Sequence, residues 1–427
     1  MNEDSFLAHS NESPADAFAA LDLLLQSGKL LIVNGQTTQQ VVDVLTHVGE
    51  RLGFRASVFV RWGELSVHVE NSYNSRYDTV SVSPTGVDMH RVAATMFVLE
   101  DFIDGRINAT TMRSSLDDVT RMPPVSVVRF ALLAAVGAVA LGVIFGDVHW
   151  VSLALIALSA AAGGLLRRGL AKRSHNLFVQ PFCASLLAGV IGAAAVRLHL
   201  SSVLRLVAVC PCMVLVPGPH VLNGTIDLVR GRVPLGTWRM MYAGLVILMI
   251  CSGLLVGLAI GGVNLPVSGA SHPVPIAFDV IAAGFAVAAY GTFFSMPWRT
   301  LPIPVLIGMA AHACRWIMIS IVGASVEIGA FVACLVVGII VTPVADRIRM
   351  PFAAFAFASV VSLIPGVFIF RMAGGLVDLA TSGTQASPGL LIGTIADGMI
   401  AALIILAMTL GLIVPKMCIA HVLNSRK

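Results

Sequence analysis

Charge is what this 427-residue chain has least of: Asp, Glu, Lys and Arg together make up 12% of it, about half of the roughly 25% that a soluble domain carries. With 57% hydrophobic residues and a mean hydropathy of +0.89, it has too few polar groups to cover a water-facing surface. Intrinsic disorder and an ordinary soluble enzyme are excluded on that ground. Cysteine is also scarce: there are seven, an odd number, and all but Cys418 fall inside apolar runs. That excludes a disulfide scaffold. Cys210-Pro211-Cys212 has no matching pair elsewhere and reads as small buried hydrophobes. The signatures G-x-x-x-x-G-K-[ST], H-E-x-x-H and G-x-S-x-G are missing, and His47, His68 and His90 stand alone. Nothing therefore points to ATP, a metal or another cofactor. What remains is a polytopic membrane protein.

The few charges are unevenly placed. Residues 1–129 hold 10 Lys+Arg and 16 Asp+Glu, a balance of −6, and residues 130–427 hold 17 and 7, a balance of +10. The basic excess sits in short stretches between apolar runs, where it reports orientation in a membrane and not a nucleic-acid surface. The opening MNEDSFLAHSNESPAD is acidic, and Asp22 and Lys29 interrupt the first apolar run, so no secretory leader is expected.

Residues 1–129 read as a small soluble α+β domain. Ala15–Asn34 is an amphipathic helix, and Thr37 caps a second in which Val41, Leu45, Val48 and Leu52 share one face until Gly53. Arg55–Arg61 and Glu64–Glu70 form a hairpin across Trp62-Gly63, and Tyr77–Ser83 continues the alternation. Helices over Asp88–Ile103 and Thr110–Thr120 close the unit, and Met122-Pro123-Pro124 links it onward.

A span needs about 20 apolar residues. Ten segments qualify: 130–146, 149–167, 178–197, 203–229, 238–262, 275–295, 302–322, 325–345, 352–379 and 388–413. Adding 148 to the start of each of the first five lands within five residues of a later start, which predicts an internal repeat. Leu215-Val216-Pro217-Gly218 recurs at that displacement as Leu363-Ile364-Pro365-Gly366, and Arg167 maps onto Arg315. Five spans per repeat, an odd number, predicts inverted halves: repeat one over 130–262, repeat two over 275–413, and a tail over 414–427. With residues 1–129 in the cytoplasm, 13 loop and tail cations lie on that side, and only Arg197, Arg205 and Arg371 lie opposite. Both termini are therefore expected inside, with the uncharged Gly262–Pro273 loop outside. Inverted repeats are a transporter architecture, with the substrate held between the halves.

Segments 203–229 and 352–379 are too long for simple crossings, and each carries Pro-Gly near its centre. Proline removes a backbone donor, so both are expected to break. A break at membrane depth is tolerable only where it lines a cavity or is covered by protein. The half-helix after it presents amides and a positive dipole end to a substrate carboxylate. Candidate substrate-binding residues are Pro217 and Gly218 with Asn223 and Asp227 downstream, and Pro365 and Gly366 with Asp378 downstream. His312, Arg315 and Trp316 share one face of the seventh span, and the Arg315 guanidinium fork matches a carboxylate. Asp279 lies near the end of the sixth span. Asp397, in the tenth, is the candidate proton carrier, with a structural Arg315–Asp397 pair as the alternative. Gly253, Gly257 and Gly261 form a helix-packing ridge.

Several of these features resemble the threonine/serine exporter family over nearly the whole chain. They are Gly28–Leu31 with Gly35-Gln36-Thr37 ahead of the Val41–Gly53 helix, Leu215–Gly218 with Asp227, His312–Trp316, and Leu363–Gly366 followed by Arg371. The resemblance implies a cytoplasmic domain, ten spans in two five-span halves, and export driven by the proton gradient across a bacterial inner membrane. It extends to relatives whose halves are separate chains, linked to dicarboxylate export of the succinate type. The expected partners are a small-molecule substrate, protons and the lipid bilayer; a homo-oligomer is left open. Export of threonine, serine or a similar small amino acid is the first expectation and export of small dicarboxylates the second. A passive channel would be indifferent to a pH gradient. A membrane-embedded enzyme would need a clustered nucleophile, base or metal set.

Overall fold

The computed structural model describes residues 14–174, 176–200, 204–265, 274–347 and 352–424. The chain opens with α1 (Pro14–Val33) and α2 (Thr38–Arg51), followed by the strands β1 (Arg55–Arg61), β2 (Glu64–Glu70) and β3 (Ser75–Ser81) and by α3 (Met89–Ile103) and α4 (Ala109–Arg121). The sheet is antiparallel in the order β1-β2-β3. Gly63, at φ +91°, makes the tight β1–β2 turn that pairs Arg61 with Glu64. Alternation then buries Leu65, Val67 and Val69, while Leu24, Leu31, Leu45, Leu99 and Met112 fill the space between the helices and the sheet. Strand β3 starts two residues earlier than the alternation predicts. The Asn71 side chain accepts from the amides of Tyr73 and Asn74 and closes the turn so that Glu70 faces Ser75. Asp88 and Asn108 cap α3 and α4 by accepting from the amides of Arg91 and Thr111.

Among the described residues, eight later helices are long and apolar enough to cross a membrane: α5 (Val127–Ile144), α6 (Trp150–Ala171), α7 (Val179–Arg197), α10 (Val233–Ile260), α11 (Ile276–Phe293), α12 (Pro302–Ser320), α13 (Val326–Arg347) and α16 (Pro388–Asn424). Two more apolar segments are bent pairs. Helix α8 (Leu204–Met213) meets α9 (Gly218–Val229) at 57°, and α14 (Phe352–Val360), after one 3₁₀ turn, meets α15 (Gly366–Ser382) at 48°. The last helix does not stop at residue 413 but runs through Pro415 to Asn424, and Lys416 on this extension lies 4.4 Å from the Phe352 ring centre. The Gly262–Pro273 loop lies mostly outside the described residues.

The same pairings occur on both sides of the chain's midpoint. Helix α7 packs along α10 as α13 does along α16. The pairs α5–α6, α6–α7 and α9–α10 are matched by α11–α12, α12–α13 and α15–α16, and α5 against α11 joins the two sets. Glycine permits the closest approaches. A Cβ on Gly189 would lie 3.0 Å from Gly257 Cα, and one on Gly338 would lie 2.9 Å from Gly411 O, so these helices touch backbone to backbone.

Candidate functional site

The two breaks are the same turn. Pro217 has φ −79° and ψ 57°, and Pro365 has φ −77° and ψ 45°. In each case the following glycine amide reaches back two residues, Gly218 N to Val216 O and Gly366 N to Ile364 O, both at 2.8 Å. This is an inverse γ-turn. The fixed φ of proline sets it, and glycine follows because a side chain would crowd the opposite span: a Cβ on Gly218 would fall 2.5 Å from both Ile364 Cδ1 and Phe357 Cζ, and one on Gly366 would fall 2.9 Å from Met213 Cγ. Those neighbours belong to the opposite broken span, so the breaks pack on one another. Between them Val216, Gly218, Phe357, Ile364 and Met408 line an apolar void of about 30 Å³, room for one or two waters and not for an amino acid. The breaks are closed on each other in this conformation.

Beyond the first break, α9 leads into a buried polar seam against the N-terminal unit. Asn223 Nδ2 donates to Gly35 O at 3.2 Å. Asp227, 1% exposed, accepts from Thr38 Oγ1 at 3.0 Å and lies 3.4 Å from Arg239 Nε and 3.6 Å from Arg232 Nη1. Arg239 Nη2 donates to Thr38 Oγ1 at 3.4 Å, and Arg232 Nη2 donates to Gln39 Oε1 at 2.5 Å. Gly224 lets α9 and α10 approach: a Cβ there would be 3.1 Å from Arg239 Cβ. Alongside, Tyr242 meets Trp62 and His220 with ring centres 5.5 and 5.0 Å away. In the loop joining α9 to α10, burial and the neighbouring charge of Arg232 push the Arg230 guanidinium below its ordinary pKa. Arg239 counts as a loop cation in the sequence, yet it lies within α10 and is 4% exposed. Its buried partner Asp227 accounts for the difference.

The second break has its own polar groups. His312 lies between Asp279 Oδ2, 3.0 Å from Nδ1, and Ser362 Oγ, 2.8 Å from Nε2. All three residues are buried, and Ser362 belongs to the 3₁₀ turn that leads into Pro365. Arg315, one turn along α12, is half-buried within electrostatic range of Asp279. Trp316 Nε1 donates to Val274 O at 2.8 Å. The Arg315–Asp397 pair that the sequence allows does not form. Asp397 lies 3.1 Å from Arg371 Nε, and Arg371, expected outside the spans, is part of α15. Asp378 stands apart, half-buried near the far end of α15.

The structure thus brings Pro217, Gly218, Pro365 and Gly366 together, sends Asn223 and Asp227 to the seam, and holds His312 beside the second break. Thr38, Arg232, Arg239, His220, Asp279 and Ser362 complete these clusters. Of these, only the intramembrane carboxylate Asp279 carried a signal in the sequence.

Among the described residues, eight unbroken apolar helices and two broken ones, flanked by buried polar clusters, define a multi-pass membrane protein. Residues 22–261 match the profile of a threonine/serine exporter family, and residues 279–418 match a second threonine/serine exporter profile. The chain belongs to the threonine/serine exporter family, a family of transporters. The two matches divide between Gly261 and Asp279, where the two sets of matched helix pairings also divide. No solved structure matches the chain.

Proposed function

We propose that this protein is a secondary exporter of threonine, serine or a closely similar small amino acid, driven by the proton gradient across a bacterial inner membrane. The observation that carries this reading is the pair of identical Pro-Gly turns packed on one another: a break at membrane depth needs a purpose, and two that meet make one hinge between two halves. The repeated helix pairings support an inverted repeat. The loop cations, excepting Arg239 and Arg371, support a cytoplasmic N-terminal unit and C-terminus.

The substrate passes where the breaks separate, its carboxylate facing the half-helix amides, with Pro217, Gly218, Pro365 and Gly366 as the moving parts. His312, Arg315, Trp316 and Asp378 line the route in the second half, and Asn223 and Asp227 line it in the first. Two acids there can take the coupling proton. Protonating Asp397 would dissolve its ion pair with Arg371 and free α15, the half-helix that starts at the second break. Asp279 reaches the same break through His312 and Ser362. Inside-out vesicles test the reading: labelled threonine or serine should accumulate when the lumen is acid, and succinate should not compete. Uptake no greater than in vesicles lacking the protein would sink the proposal; competition by succinate would move it to dicarboxylates.

A further inference from the structure

The seam between the N-terminal unit and α9–α10 has more polar capacity than it uses. Among the described residues, Gln36 Nε2 and Thr37 Oγ1 are buried without a hydrogen-bond partner, on residues 1% and 5% exposed, and Arg239 Nε, on a residue 4% exposed, makes no hydrogen bond and has only the Asp227 carboxylate at 3.4 Å. Two of these lie on the turn that carries Thr38, and the third lies beside Asp227. Native interiors rarely leave such groups unmet, because each stranded donor or acceptor keeps its desolvation cost. Several in one seam mark a place built for a partner that comes and goes. The charges describe that partner. One carboxylate, Asp227, faces two guanidiniums, Arg239 and Arg232. A zwitterion fits this set, with its ammonium on Asp227 and its carboxylate on an arginine fork. The hydroxyl position is already taken: Thr38 Oγ1 donates to Asp227 and accepts from Arg239.

We infer that this seam is a binding site for a hydroxy-amino acid zwitterion, and that in the closed form Thr38 occupies the place of the ligand's side-chain hydroxyl. The inference rests on the export reading for its ligand class. Ligand entry requires the N-terminal unit to lift from α9, so Thr38 competes with the ligand, and the apparent affinity is reduced by the fraction of molecules that are closed. The seam is thereby a loading site on the side of the N-terminal unit, closed by a residue of the same chemistry as the cargo.

The test is calorimetric titration of the purified full-length protein in nanodiscs with L-threonine, with L-valine as the same shape lacking the hydroxyl. Threonine should bind and valine should not. Thr38→Val should tighten threonine binding about ten-fold, the weight of one charge-assisted hydrogen bond holding the closed form. Asp227→Asn should weaken threonine binding at least as much. Thr38→Ser, which keeps a hydroxyl, guards against a packing effect: it should stay near the weak wild-type affinity. A gain equal to that of Thr38→Val would show that shape rather than the hydroxyl closes the seam, and would overturn the inference. Unchanged or weaker binding in Thr38→Val overturns it too. If vesicles export threonine while these variants leave binding unchanged, the site is wrong and the export reading stands. If vesicles fail to transport, the export reading falls, whatever the titration gives.

Discussion

The break at Pro217 is roofed by a second folded unit, whereas the break at Pro365 is buried among its own helices. Their backbones are nearly superimposable in φ and ψ, so the difference lies in what surrounds each turn. After the first, Pro219 supplies no amide, and the polar groups stand two to three turns further on, where Asn223 and Asp227 meet Gly35 and Thr38. After the second, Val367 retains its amide, and the polar groups crowd the turn itself through Ser362, His312 and Asp279. One backbone device has thus been given two chemistries. On the proposed reading the first governs access from the side of the N-terminal unit, and the second ties the hinge to a proton.

The largest expected effect separates those two roles. Asp279→Asn or Asp397→Asn should abolish accumulation driven by a pH gradient while leaving substrate exchange without a gradient. Asp227→Asn should slow both together, since it touches loading and not coupling. Parallel exchange and accumulation assays in proteoliposomes read this directly. Intact accumulation in both second-half variants, or loss of accumulation alone in Asp227→Asn, would reverse the assignment.

Next in size is the loss of a buried partner, which costs about 3–5 kcal/mol when it strands a charge away from water. Arg239→Met strands Asp227, and His312→Leu strands Asp279. Both should lower the melting temperature of the purified protein, but only Arg239→Met should loosen the N-terminal unit and expose the Met122-Pro123-Pro124 link to protease. By contrast, Arg232→Met should cost under about 1 kcal/mol, because that guanidinium is 28% exposed and 3.6 Å from Asp227. Equal protease sensitivity in Arg239→Met and His312→Leu would mean that the seam is not what holds the unit down.

The breaks themselves should respond unequally to a methyl group. At Gly218 it meets the Phe357 ring and Ile364, which cannot easily yield; at Gly366 it meets the flexible Met213. Gly218→Ala should therefore cost about 1–3 kcal/mol and Gly366→Ala about 1 or less. Thermal unfolding of the two variants in one detergent decides the order, and the reverse order would show that the hinge is packed differently from this closed form.

The breaks were legible in the sequence because Pro-Gly recurs at a fixed displacement and proline acts on its own backbone. The spans were legible because hydropathy is a local quantity, and the β1–β2 hairpin because Trp62-Gly63 sits between two alternating runs. The polar clusters were not. Thr38 and Asp227 are 189 residues apart, and no periodicity reports which distant hydroxyl a carboxylate will find. Arg239 and Arg371 looked like loop cations, since a charge beside an apolar run marks the end of a span unless its partner is known. Asp397 was legible as a buried acid, but its partner was Arg371 and not Arg315. Individual ionisable residues can be found by their rarity in apolar sequence; their pairing is set by tertiary packing.

The smallest expected effect tests the likeness of the halves at one residue. Helix α5 ends in a turn where Gly146 N reaches Val143 O and Asp147 N reaches Gly142 O; α11 ends in the same turn, with Ser295 N on Thr292 O and Met296 N on Gly291 O. This is the Schellman motif, which needs a left-handed residue just past the helix. The first half supplies Gly146 at φ +92°, and the second supplies Ser295 at φ +62°. A Cβ in that region costs about 1–2 kcal/mol, and glycine returns part of this as extra freedom in the unfolded chain. Ser295→Gly should then stabilise the protein by about 0.5–1 kcal/mol and raise its melting temperature by about a degree or two. Gly146→Ser should lower it by a similar amount. If Ser295→Gly instead destabilises, the serine hydroxyl has a contact that outweighs the backbone strain, and the two turns are alike in geometry only.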